Sequence, residues 1–145
     1  MSRILLPLSL LACSTPDPDE TGDTGDADDG ACGDVSTHDV RVRAKVANAS
    51  GDAAADIDVV LDDRGWEMVE LGGATTDAKG EVDFVAVGVT SVEDCWGTVL
   101  NYQLVATDPA DTSRTVEDGI NSHLYAAIDD GSLVADVRDF PLTLP

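Results

Sequence analysis

Val40-Arg41-Val42-Arg43-Ala44-Lys45-Val46 alternates apolar and cationic residues without interruption. A period of two is the mark of a strand with one buried face, because successive side chains leave a pleated backbone on opposite sides. Downstream, the turn Asn48-Ala49-Ser50-Gly51-Asp52 leads to a second alternation, with Ile57, Val59 and Leu61 on one side and Asp56, Asp58 and Val60 on the other. A third strand is expected over Glu67 to Thr76, interrupted at Gly72-Gly73. Asp77-Ala78-Lys79-Gly80 has Asp first and Gly fourth, the signature of a type I turn closing a hairpin. Val82, Phe84 and Ala86 then line one face of a fourth strand. Leu100 to Thr107, Ile120 to Ile128 and Leu133 to Leu144 complete about seven strands, with Asp129-Asp130-Gly131-Ser132 as the last tight turn. No stretch reads as a sustained helical period. The expectation is an all-β chain with a single antiparallel β-sandwich over residues 35–145.

Composition narrows the function. The chain has 145 residues, 29 acids against 8 bases, and a formal charge of -21, while aromatic residues make up only 4%. Its core must therefore rest on Val, Leu, Ile and Ala. A surface of that sign repels phosphate backbones, so nucleic-acid binding is not expected. Acidity also maintains solubility and suits salty surroundings. Arg41, Arg43 and Lys45 share one strand face, and the expectation is cross-strand pairing with acids such as Asp56, Asp58, Glu81 or Asp83 rather than a docking stripe for an anionic partner.

Residues 1–12 have the layout of a secretory signal: Arg3, the apolar run Ile4 to Leu11, and small Ala12. The run is too short to span a bilayer, which takes about 20 apolar residues. Leu10-Leu11-Ala12-Cys13 resembles the lipobox of bacterial lipoproteins. The resemblance implies cleavage before Cys13, a diacylglyceryl group on its sulfur and an acyl chain (palmitate or similar) on its new amino group. Each buried methylene contributes about 0.8 kcal/mol, so two or three chains would hold the protein in membrane lipid. In such lipoproteins an Asp after the cysteine signals inner-membrane retention, so with Ser14 there the resemblance implies the outer membrane in preference to the inner.

Ser14 to Ala31 reads STPDPDETGDTGDADDGA, with seven acids, no base and nothing apolar larger than Ala. Such a stretch cannot bury enough surface to offset ordering. Residues 13–34 are thus expected to be the lipidated Cys13 followed by a disordered acidic tether, whose eighteen residues from Ser14 to Ala31 reach roughly 21–25 Å as a random coil.

Ala74-Thr75-Thr76-Asp77-Ala78-Lys79-Gly80-Glu81-Val82-Asp83-Phe84, together with Val40 to Val46, Ile57 to Leu61 and Tyr102-Gln103-Leu104-Val105, resembles the carboxypeptidase regulatory-like and bacterial Ig-like modules. The resemblance covers about 70 residues and implies a transthyretin-like or Ig-like sandwich, an accessory or binding module without catalysis. Gly88 to Gly97 stands as an insertion where those families have a short turn.

Few residues suggest a site. With Cys13 lipidated, Cys32 and Cys95 form an even remainder in an oxidising compartment, and a disulfide between them is expected. His38 and His123 are isolated and read as strand-edge side chains, with no metal and no cofactor. Neither a Gly-x-Ser-x-Gly elbow nor a phosphate loop occurs, so no catalytic residue is assigned and no enzyme is expected. Trp66 and Trp96 lie in connections, as core plugs or binding platforms. The leading expectation is a monomeric, envelope-anchored binding or structural module whose partner is an envelope protein or a glycan. The alternative is a calcium-dependent surface or adhesion module using carboxylate pairs in the connections: Asp62-Asp63, Glu93-Asp94, Glu117-Asp118 and Asp129-Asp130.

Overall fold

A strand that alternates Val with Arg has two unlike faces, and the fold is arranged around that contrast. The computed structural model describes residues 33–65, 69–94, 97–130 and 134–145. Strand β1 (Asp34–Ala47) includes the alternating run and begins at Asp34, one residue before the boundary read from composition. It is followed by β2 (Asp58–Asp63), β3 (Glu70–Thr75), β4 (Glu81–Asp94), β5 (Gly97–Val99), β6 (Tyr102–Thr107), β7 (Thr115–Gly119), helix α1 (Asn121–Asp129) and β8 (Ala135–Thr143). Among the described residues these strands form two four-stranded sheets, β5-β4-β1-β8 and β3-β2-β6-β7. Val40, Val42, Ala44 and Val46 face the second sheet and are buried against Val59, Leu61, Leu104 and Ala106.

β1 is flanked on both sides. β4 pairs with it antiparallel, whereas β8 pairs with it parallel, with Val40 opposite Ala135 and Val46 opposite Leu142. The purely antiparallel sandwich expected above is therefore corrected at this pair. A parallel neighbour needs a crossover connection, and here the chain leaves β7 in one sheet, passes through α1 and enters β8 in the other.

Both neighbours of β1 contain one extra residue. On β4 the register jumps between His38 opposite Val89 and Val40 opposite Ala86. Val87 and Gly88 thus face Asp39 alone, and Gly88 takes φ +82°. On β8 the jump falls between Val42 opposite Val137 and Ala44 opposite Phe140, with Asp139 at φ +52°. Each bulge changes which parity points inward: Val82, Phe84 and Ala86 are followed by Val89 and Ser91, and Ala135 and Val137 by Phe140, Leu142 and Leu144. The described residues of Gly88 to Gly97 lie in strands. They continue β4 past a bulge and return as β5.

Other expectations change as well. Ile120 to Ile128, expected as a strand, is instead the N-cap and first eight residues of α1, so the described residues are mostly β with one helix. The sequence is consistent with this, since Ile120, Leu124, Ala127 and Ile128 recur at helical spacing, the first three buried and Ile128 packed against them. His123 lies on that helix, with its ring edge-on to Phe140 at 4.8 Å, and not at a strand edge. Asp129 is the last residue of the helix, and Gly131 and Ser132 of the expected turn lie outside the described residues. β3 runs unbroken through Gly72 and Gly73, which pair with Leu61 and Val60. The Asp77–Gly80 turn forms, with the Gly80 N–H donating to the Asp77 carbonyl at 2.9 Å and the Lys79 and Glu81 N–H groups donating to Asp77 Oδ1. It carries the chain between sheets, however, because β3 pairs with β2 while β4 pairs with β1.

Tyr102 pins the sheets together. Its buried ring reaches from β6 to β4, where the phenol oxygen accepts from the Thr90 N–H at 2.7 Å and donates to the Thr90 carbonyl at 2.8 Å. The Tyr102 N–H in turn donates to Asn121 Oδ1 at 2.8 Å, holding the first residue of α1 to the same strand.

Gly80 and Gly88 both have positive φ, but a Cβ on Gly88 meets open space while one on Gly80 would be driven into the Val46 carbonyl oxygen. Gly88→Ala is expected to cost about 1 kcal/mol, the strain of a left-handed alanine. Gly80→Ala is expected to cost about 2 kcal/mol or more, because steric conflict with backbone is added. Urea unfolding of the two variants checks this ordering, and equal losses would contradict it.

Candidate functional site

The outward face of β1 meets acids on both sides. Arg41 donates from Nε and Nη2 to the two carboxylate oxygens of Asp83, at 2.8 and 2.5 Å. Arg43 makes the same fork onto Asp136, whose Oδ2 also accepts from Arg138 at 2.8 Å, and Lys45 lies 2.9 Å from Glu81. Glu81 and Asp83 are thus the partners among the acids considered, Asp136 joins them, and Asp56 and Asp58 do not take part. The Arg41 hydrogen bond holds the Asp83 carboxyl below its ordinary range, and that of Arg43 does the same for Asp136. Exposed pairs of this kind stabilise little. Their effect here is to neutralise the stripe, which leaves no bare cationic surface on β1.

The second sheet does the reverse. Asp62 on β2 lies opposite Glu70 on β3, and partial burial followed by the charges of Glu70 and Glu117 raises its pKa above the ordinary carboxylate value. The four carboxylate pairs considered for calcium fall in or at the ends of β2, β4, β7 and α1 rather than in free connections. Among the described residues no group of three or more His, Cys, Asp or Glu is placed to hold a metal ion.

A third region is concave. β1 and β4 have 14 residues each and outrun the second sheet, whose strands have 5 or 6. Their free ends and β5 face α1 across a half-open cleft of about 590 Å³. Ser36 and His38 come from β1, Ser91 and Glu93 from β4, Thr98 from β5. His38 Nε2 lies 3.2 Å from Ser91 Oγ, and Thr98 Oγ1 donates to Glu93 Oε1 at 3.2 Å. Ser122, Tyr125 and Asp129 of α1 form the opposite wall, with Leu100 and Ile128 between. The Ser91–His38 contact resembles two parts of a nucleophile–base–orienter arrangement. Among the described residues no carboxylate hydrogen-bonds to the His38 ring, and the contact gives the buried Ser91 hydroxyl its partner.

Of the residues singled out from sequence that are described, His38 and two of the calcium-reading acids, Glu93 and Asp129, line this cleft. Ser36, Ser91, Thr98, Ser122 and Tyr125 drew no attention there. The signal that could have found them is the polar Ser91 and Glu93 at alternate positions after Gly88. Cys13, Cys32, Cys95, Trp66 and Trp96 lie outside the described residues. A scan against protein-family models finds no match for this chain, and neither does a search of curated proteins.

Because the folded-state pKa of Asp62 is raised, its charged form opposes folding. The penalty is fully present above the raised pKa, shrinks as pH falls through it and vanishes below the unfolded-state value. Asp62→Asn is therefore expected to raise the thermal midpoint at pH 7 by about 1–3 °C and to leave it unchanged at pH 3. Melting curves at the two pH values test this, and a midpoint lowered at pH 7 would contradict the like-charge account.

Proposed function

We propose that this chain is a lipid-anchored lipoprotein of a bacterial cell envelope, on the outer membrane in preference to the inner, and that its two-sheet domain is a non-catalytic binding or structural module. The observation that carries the proposal is the sequence Leu10-Leu11-Ala12-Cys13 after an apolar run and before an acidic stretch. In this reading Cys13 holds the lipid and residues 14–32 space the domain from the membrane. β1 begins at Asp34, so the acidic stretch enters at one end of the first sheet, beside Glu93. Among the described residues no helix is long and apolar enough to cross a membrane, and attachment in this reading is by acyl chains.

The finer fold assignment is an Ig-like or transthyretin-like sandwich. It is supported by the Ala74–Phe84 resemblance and by the packing of two four-stranded sheets. A Cys32–Cys95 disulfide belongs to the same proposal. The last described pair of β1 and β4 sets Asp34 opposite Glu93, and each chain reaches its cysteine two residues further on. A bridge there would tie the start of β1 to the end of β4 and contribute up to about 4 kcal/mol in the chain-entropy account. The partner is an envelope protein or a glycan, the acidic surface being unsuited to nucleic acid.

Cells fed radiolabelled palmitate are expected to label the wild-type protein and not Cys13→Ser, with the variant leaving the membrane fraction or remaining uncleaved. Non-reducing peptide mapping of the wild type is expected to recover a linked Cys32–Cys95 pair. Label that persists in Cys13→Ser would sink the anchor, and two free thiols would sink the bridge.

A further inference from the structure

The polarity of the first sheet reverses along its length. Up to Ala86 the inward positions are apolar and the outward ones are mainly charged. Past the bulge Val89 is still buried in the core, and beyond it the inward positions turn polar. Ser36, His38, Ser91, Glu93 and Thr98 face the cleft, while Val35, Val92 and Val99 form one cross-strand row on the outer face. A sheet end needing only to be soluble would place these residues the other way round. Core packing does not account for the polar inner wall, because the second sheet does not extend over it.

We propose that this cleft is a binding site for a neutral saccharide, the deepening of the binding-module reading on which it rests. Glu93 and Asp129 are its charged residues, and no Lys or Arg is among its described lining, so phosphorylated or uronic-acid ligands are repelled. Its volume of about 590 Å³ lies within the range of small-molecule sites. A pyranose ring has a C–H face and a rim of hydroxyls, and the cleft has a match for each. Tyr125, 38% exposed on α1, offers an aromatic face beside Leu100 and Ile128. Glu93 and Asp129 accept hydroxyl protons, and the Ser36, Thr98 and Ser122 hydroxyls donate or accept. Ser91, only 3% exposed and held by His38, fixes the floor before any ligand arrives. An alkyl ammonium group would use the carboxylates but leave the hydroxyl wall without a role, so the polyhydroxyl ligand is the better fit.

The test is saturation-transfer NMR on the full-length protein in a detergent without a sugar head group. The probes are methyl β-glucoside, methyl β-galactoside and N,N′-diacetylchitobiose at millimolar concentration, with lysinamide as the cationic comparator. Transfer to at least one sugar and none to lysinamide is expected. Tyr125→Ala and Glu93→Gln alter exposed side chains, and each is expected to weaken that binding about tenfold with the thermal midpoint retained. Lys79→Ala, on the Asp77–Gly80 turn, should bind as wild type. Transfer to no sugar, transfer undiminished in both cleft variants, or transfer to lysinamide alone would overturn the proposal. The palmitate label on the same preparation separates the two readings. A labelled but sugar-silent protein refutes the cleft only, and an unlabelled sugar-binding one refutes the anchor only.

Discussion

The pairing of β1 on both sides is the constraint from which the other features follow. A single strand supplies Val40, Val42, Ala44 and Val46 to the core, so its rotation fixes which face of the first sheet is buried. Its neighbours must then present their own apolar residues to the same side over nine or more positions each. Side chains alternate with a period of two, so a shift of one residue would turn every later side chain outward. The bulges at Val87–Gly88 and at Asp139 are such shifts, placed at two defined points. On β8 the shift brings Phe140, Leu142 and Leu144 inward, after Ala135 and Val137 have already packed. On β4 it brings Val89 and Ser91 inward, and so ends the apolar core and begins the polar wall of the cleft.

Charge follows the same geometry. The bases of β1 point outward because its valines point inward, and acids of β4 and β8 face them across the ladder. Arg138 shares Asp136, and Arg114 pairs with Asp108 at 2.8 Å. Most cations of the folded part are thereby used within the fold. What remains outside is a surplus of carboxylates, of which Asp62, Glu70 and Glu117 are close enough for one to be disfavoured as an anion. A surface so arranged selects against polyanions at long range and leaves recognition to short-range hydrogen bonding and stacking.

The sequence discloses this fold unevenly, for physical reasons. Val40 to Val46 and the Asp77–Gly80 turn are readable because one obeys a strict period and the other a strict backbone requirement. α1 is missed because Leu124 and Ile128 are the large aliphatic residues among its nine, and Ile120 with Leu124 and Ile128 suits a strand as well as a helix until the burial of Ala127 is known. β7 is missed because backbone pairing with β6 defines it, while only Val116 of its five residues is apolar. The parallel β1–β8 pair cannot be read locally, since it depends on which sheet the chain joins after α1. The cleft is concealed by the bulge, because Ser91 and Glu93 count as outward residues if the alternation of Val82 to Ala86 is continued without a shift.

The doubly paired β1 is tested most directly by native-state hydrogen exchange, resolved by residue. Strands bonded on both sides open only with the whole domain, whereas edge strands open locally at lower cost. Val42 and Ala44 are paired with both β4 and β8, while β5 and β7 are sheet edges. The account predicts that the amides of Val42 to Val46 exchange at the rate set by global unfolding, with those of β5 and β7 faster. Exchange of the β1 amides as rapid as that of β7 would contradict it.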